Sequence, residues 1–99
     1  MIHEVAMLSV SPDDATAFEA AVASCAELFR AAPGCRSMRL ERELERAGHY
    51  LLVVGWDHVD DHMVAFRGSP AFATWRERVQ DFFTAAPVVF HVERAADHF

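Results

Sequence analysis

Apolar and polar residues alternate over the first ten positions. Ile2, Glu4, Ala6, Leu8 and Val10 fall on one side, and His3, Val5, Met7 and Ser9 on the other, the period of a strand. The period then changes. Ser11-Pro12-Asp13-Asp14 predicts a helix start, with Ser as N-cap, Pro at the first helical position and acids at the positive end of the dipole. Phe18, Val22, Cys25, Phe29 and Ala32 follow at three- and four-residue steps, and Pro33-Gly34 ends the helix. A second strand is expected from Cys35 to Glu43, with a hairpin turn at Glu45-Arg46-Ala47-Gly48. The third strand, Tyr50 to Trp56, is apolar on both faces, as in a strand covered from both sides. One layer of helices covers one face, so a second sheet is expected on the other, and hence a dimer.

After Trp56 the pattern predicts a short helix over Val59–Phe66. Gly68 breaks it, and Ser69-Pro70 repeats the earlier helix start. Phe72, Trp75, Val79 and Phe82 form the next stripe, Pro87 closes the region, and Val88–Arg94 reads as the last strand. The order strand-helix-strand-strand-helix-strand predicts an α+β, ferredoxin-like βαββαβ protomer with an antiparallel sheet. No linker or repeat interrupts residues 1–99, which read as one domain of a size that supports a single core.

Composition narrows the function. A net charge of −6, with nine scattered arginines and no lysine, argues against nucleic acid and anionic membranes as partners. No apolar run reaches the ~20 residues of a membrane span, and Met1-Ile2-His3-Glu4 does not resemble a secretory signal. Cys25 and Cys35 read as free thiols, and a cytoplasmic location is expected. Hydrophobic residues make up 53% of the chain, enough to leave apolar surface for self-association.

Trp56 at the end of the third strand, Phe66-Arg67-Gly68-Ser69-Pro70-Ala71-Phe72 with Trp75-Arg76, and Pro87-Val88-Val89-Phe90-His91 resemble the antibiotic biosynthesis monooxygenase family of the dimeric α/β-barrel superfamily. The resemblance spans nearly the whole chain in element order, and its motifs are structural rather than catalytic. It implies a homodimer whose sheets pack face to face, with a pocket between sheet and helices in each protomer. It also implies oxidation of a phenolic or anthrone-type molecule by O2 without metal, flavin or haem, because a deprotonated aromatic can itself reduce oxygen. Family members that degrade haem use an Asn, a Trp and a His. This chain has no Asn, and with one residue inserted after Trp56 it carries Phe66 and Arg76 at the other two positions.

His58 and His62 have the one-turn spacing of a metal pair, but the third ligand and the Glu of the zinc-protease motif are missing, so no metal is expected. His62 is the candidate general base, since an imidazole titrates near neutral pH, and His91 on the last strand is the second catalytic candidate. Trp56, Phe66, Phe72 and Trp75 are the candidate apolar walls for a small hydrophobic or aromatic ligand, and Arg67 its anion anchor. Arg39 and Tyr50 are further candidates, and pairing of Arg67 and Arg76 with Glu77 or Asp81 is the structural alternative to ligand binding. The competing function is a non-catalytic dimeric module that binds a small hydrophobic metabolite, and a third is a dimer whose pocket has filled in.

Overall fold

A computed structural model describes residues 1–99. Four antiparallel strands form one sheet in the order β2-β3-β1-β4: β1 Ile2–Ser9, β2 Cys35–Arg42, β3 His49–Trp56 and β4 Val88–Val92. Helices α1 (Ala15–Ser24), α2 (Ala26–Arg30) and α3 (Pro70–Val79) lie against one face. The α+β, ferredoxin-like architecture read from the pattern is the one observed. None of the helices is long and apolar enough to cross a membrane.

The alternation in β1 decides which face is covered. Ala6, Leu8 and Val10 are buried, as are Tyr50, Leu52, Val54 and Trp56 on the matching side of β3. Helix stripes supply Phe18, Val22, Cys25, Phe29, Trp75 and Val79 to the same core. The opposite face carries Met7, Leu51, Val88, Phe90 and Val92, all exposed in the single chain.

Local chemistry adjusts the helices. Ser11 takes extended backbone angles before Pro12, but the first turn is 3-10 and its hydroxyl makes no capping bond. The first long helix is broken at Cys25, giving α1 and α2, and Arg78 Nη1 donates to the Ser24 carbonyl at 2.9 Å beside the break. Ser69 caps α3 more fully, its Oγ accepting from the Phe72 N–H at 3.4 Å. Gly34 has φ +82°, and a side chain there would strike the Asp61 carboxylate, so this turn requires glycine.

The segment predicted as a short α-helix is wound more loosely. Asp61–Phe66 forms a π-helical turn, in which Arg67 N–H donates to the His62 carbonyl five residues back at 3.0 Å. Turns of this kind are rare overall and frequent at functional sites. The turn buries His62 and Phe66 and leaves Val64 exposed.

Candidate functional site

The sheet register brings together groups far apart in sequence. Glu4 is the one charged residue on the apolar side of β1, opposite His91 in β4 and diagonal to Trp56 in β3. Trp56 Nε1–H donates to Glu4 Oε1 at 3.0 Å, and His62 Nε2 lies 3.3 Å from the same oxygen. On its other side His62 Nδ1 is 2.8 Å from His91 Nε2. The imidazole of His62 also stacks on Trp56, with centroids 5.4 Å apart and planes at 19°. Glu4 is 5% exposed and His62 3%, so water does little to screen them.

That burial sets the proton affinities. Desolvation raises the Glu4 carboxyl from 4.5 to about 7, against the lowering effects of the Trp56 hydrogen bond and of the Arg67 charge. Desolvation lowers His62 from 6.5 to about 4, with the neighbouring His91 and Arg67 acting in the same direction. Near neutrality His62 is therefore a neutral ring, and Glu4 is poised between acid and carboxylate.

A cavity of about 390 Å³ opens beside this group, within the range of small-molecule sites. Its wall includes Glu4 and His62, the aromatic rings of Phe72, Trp75 and Phe83, and the guanidinium groups of Arg67 and Arg76. Both contacts of Glu4 fall on Oε1, leaving Oε2 without a partner. No fully buried side-chain oxygen or nitrogen lacks a hydrogen bond, so Oε2 keeps some accessible surface, and Glu4 is among the residues lining this cavity.

The predicted site residues take three positions. His62, Arg67, Phe72 and Trp75 are on the cavity wall. His91 stands behind His62 and touches it, while Trp56 and Phe66 pack as a buried layer, their rings 5.4 Å apart, with Phe66 edge-on to Phe72. Arg39 lies on the opposite sheet face bound to Glu41, and Tyr50 donates to Glu19 at 2.6 Å. His58 is on the surface whereas His62 is interior, and no three His, Cys, Asp or Glu side chains group as metal ligands. Cys25 and Cys35 are free thiols.

Arg67 and Arg76 do not pair with Glu77 or Asp81. Every other arginine donates to an oxygen: Arg30, Arg36, Arg39, Arg42, Arg46 and Arg94 to carboxylates, and Arg78 to Ser24. The two exceptions instead share one ring, with their guanidinium carbons 5.4 and 6.0 Å from the Phe72 centroid, and Arg67 Nη1 also lies 3.9 Å from Met63 Sδ.

Glu4 is the residue that sequence reasoning passed over. Its signal was present, a carboxylate in phase with Ile2, Ala6, Leu8 and Val10, where an ionised side chain has no solvent.

A four-stranded sheet backed by helices, with a polar cluster opening on an internal cavity, defines a small α+β domain with a ligand-sized site. Residues 1–78 match the antibiotic biosynthesis monooxygenase family model, and the chain belongs to that family. It is 31% identical to an uncharacterised protein, YczJ, of Bacillus subtilis over 93 residues, 94% of this chain and 98% of that one. A crystal structure from Bordetella bronchiseptica, provisionally named an antibiotic biosynthesis monooxygenase, superposes with a TM-score of 0.93 at 41% identity, covering 96% of this chain and 97% of the other. SnoaB of Streptomyces nogalater, a cofactor-independent oxygenase, shares the fold with a TM-score of 0.81 at 19% identity, covering 98% and 95%.

Proposed function

We propose that the chain is a cofactor-independent oxygenase that binds a small ionisable aromatic in the cavity and oxidises it with O2. The observation that carries this reading is Glu4: a buried carboxyl on the cavity wall, raised to about 7, with one oxygen hydrogen-bonded by Trp56 and 3.3 Å from His62 Nε2, and the other without a partner. A base poised near neutral pH suits removal of a phenolic proton. His62, a neutral ring with Glu4 on one nitrogen and His91 on the other, joins them into a path along which that proton can move. Phe72 and Trp75 are the walls that hold the flat substrate, and Trp56 and Phe66 back them. Arg67 supplies positive charge near the developing anion.

The chemistry balances without a cofactor. Glu4 takes the hydroxyl proton, with His62 beside it to pass it on, and the aromatic anion passes one electron to O2. The radical pair then collapses to a carbon-bound peroxide, which accepts a proton. Loss of water leaves a new carbonyl, with one oxygen atom in the product and the other in water. All four electrons come from the substrate. SnoaB, which shares the fold, is an oxygenase that needs no cofactor.

The same reading includes a homodimer. Met7, Leu51, Val88, Phe90 and Val92 present an apolar sheet face that a second copy would cover. Oxygen uptake is the deciding experiment, run on purified protein with a panel of anthrones, naphthols and hydroquinones. Uptake above the uncatalysed rate, with one carbonyl gained per O2 consumed, is expected. A panel member that binds the cavity but consumes no oxygen would leave a binding module instead.

A further inference from the structure

The two guanidinium groups that lack an oxygen partner constrain what the cavity holds. In a chain of net charge −6, carboxylates are plentiful, and every arginine outside this rim has an oxygen partner. Arg67 and Arg76 come from different segments, one following the π-turn and the other in α3, yet both stand over Phe72 at the cavity wall. Beside the Phe72 ring, Arg67 Nη1 makes one long contact to Met63 Sδ at 3.9 Å, and no N–H of either guanidinium meets an oxygen. Within the cavity the only carboxylate is Glu4, and its burial favours the neutral acid. The lining is thus cationic at Arg67 and Arg76, apolar along Leu8, Leu52 and Val79, and carries one titratable carboxyl at Glu4.

We propose that the ligand is a hydroxyaryl acid: a compact, flat aromatic whose carboxylate is held by Arg67 and Arg76 and whose hydroxyl is directed to Glu4 and His62. This rests on the oxygenase reading for the role of the hydroxyl, while the acid group rests on the two arginines alone. A cavity of about 390 Å³ is near the small end of ligand sites, so one or two fused rings suit it better than a tetracycle. Guanidinium is the group for this task, because its planar fork matches a carboxylate and it stays charged beside an apolar wall.

Calorimetric titration with 6-hydroxy-2-naphthoate and with 2-naphthol tests the assignment, since both carry the ring and the hydroxyl and only the first carries the acid. The acid should bind about tenfold or more tightly than the naphthol, as a charge-assisted bond to a partly desolvated anion requires. Raising the salt concentration should narrow that gap. The double variant Arg67→Gln/Arg76→Gln should abolish the preference, and Arg30→Gln, which removes an exposed arginine paired elsewhere, should keep it. Equal binding of the two probes would overturn the acid assignment and leave the oxygenase reading intact. So would a preference that survives in the double variant. Binding of neither probe would overturn both.

Discussion

Two carboxylates on the helix-covered side of this molecule accept a hydrogen bond from an aromatic side chain of β3, and their proton affinities move in opposite directions. Glu19, on α1, accepts from the Tyr50 hydroxyl at 2.6 Å and from Arg42 Nη2 at 2.9 Å. Those two hydrogen bonds hold its carboxyl below the usual range. Glu4 accepts from the Trp56 indole but has no arginine bonded to it, and burial raises it to about 7. One donor with a cation at an exposed edge makes a structural pair that favours the ionised carboxylate. One donor without a cation, under the helices, makes a group that can gain or lose a proton at neutral pH. The difference lies in what surrounds the carboxylate, since both residues are glutamates with an aromatic donor.

The largest expected effect separates the two by turnover. Glu4→Gln keeps the shape and can still accept from Trp56, but it cannot take a proton. Oxygen uptake should fall by roughly 10²–10⁴-fold, the usual contribution of a positioned base. Glu19→Gln should leave uptake within about twofold, since a surface ion pair contributes little. His62→Ala should also lower uptake while circular dichroism shows the fold retained. Equal rates for the two glutamine variants would end the case for Glu4 as the base.

Stability against pH sharpens the contrast next. Folding raises Glu4 from 4.5 to about 7, so across that window the native chain binds the extra proton, and its stabilising contribution is lost as pH rises. Folding lowers His62 from 6.5 to about 4, so there the unfolded chain binds the extra proton, and stability is lost as pH falls. The two slopes oppose each other over most of their range, and the wild-type pair should show little net dependence. Single variants uncover each half. Glu4→Gln should lose stability on acidification from 6.5 towards 4, and His62→Gln should lose it as pH rises from 4.5 to 7. Each change should be on the order of 3 kcal/mol, at about 1.4 kcal/mol per pKa unit. Urea melts at several pH values would show it, and slopes of the same sign in both variants would contradict the assignment. Glu19→Gln should remove only a contribution lost at low pH, since the pKa of Glu19 is lowered.

The fold was legible because its signals are local. Alternation in β1, the apolar run of β3 and the Ser-Pro helix starts each lie within a few adjacent residues. The π-turn at Asp61–Phe66 and the break at Cys25 were not legible, because they change winding without changing which residues are apolar. His62, Phe72 and Trp75 could be found from helical spacing. Glu4 needed the register: its partners Trp56 and His91 come from β3 and β4, and only strand pairing sets them beside it. The open state of Arg67 and Arg76 was likewise hidden. Glu77 and Asp81 are near them in sequence, and only the structure shows that no bond forms.

A smaller shift tests why the indole matters. Trp56→Phe keeps the ring against His62 but removes the N–H that favours the ionised form of Glu4. The carboxyl should then titrate higher still. The acid limb of the rate profile should move up by about one pH unit, the equivalent of one net hydrogen bond to a charge. An unmoved limb would mean that the rate does not report the ionisation of Glu4.

The smallest effect belongs to the matching change at the other carboxylate. Tyr50→Phe removes the hydroxyl that donates to Glu19, yet Arg42 still holds both carboxylate oxygens at 2.9 and 3.0 Å. The Tyr50 ring stays packed on Phe18, centroids 5.1 Å apart in the parent, so the apolar contact survives the substitution. Chemical denaturation should therefore register only a small loss of stability, since the partner carboxylate is exposed and keeps its arginine. The rate profile against pH should stay where it is, because nothing in the cavity has changed. A shift of that profile as large as the one from Trp56→Phe would show that the two ends of β3 are coupled. The separation between a structural carboxylate and a reactive one would then fail.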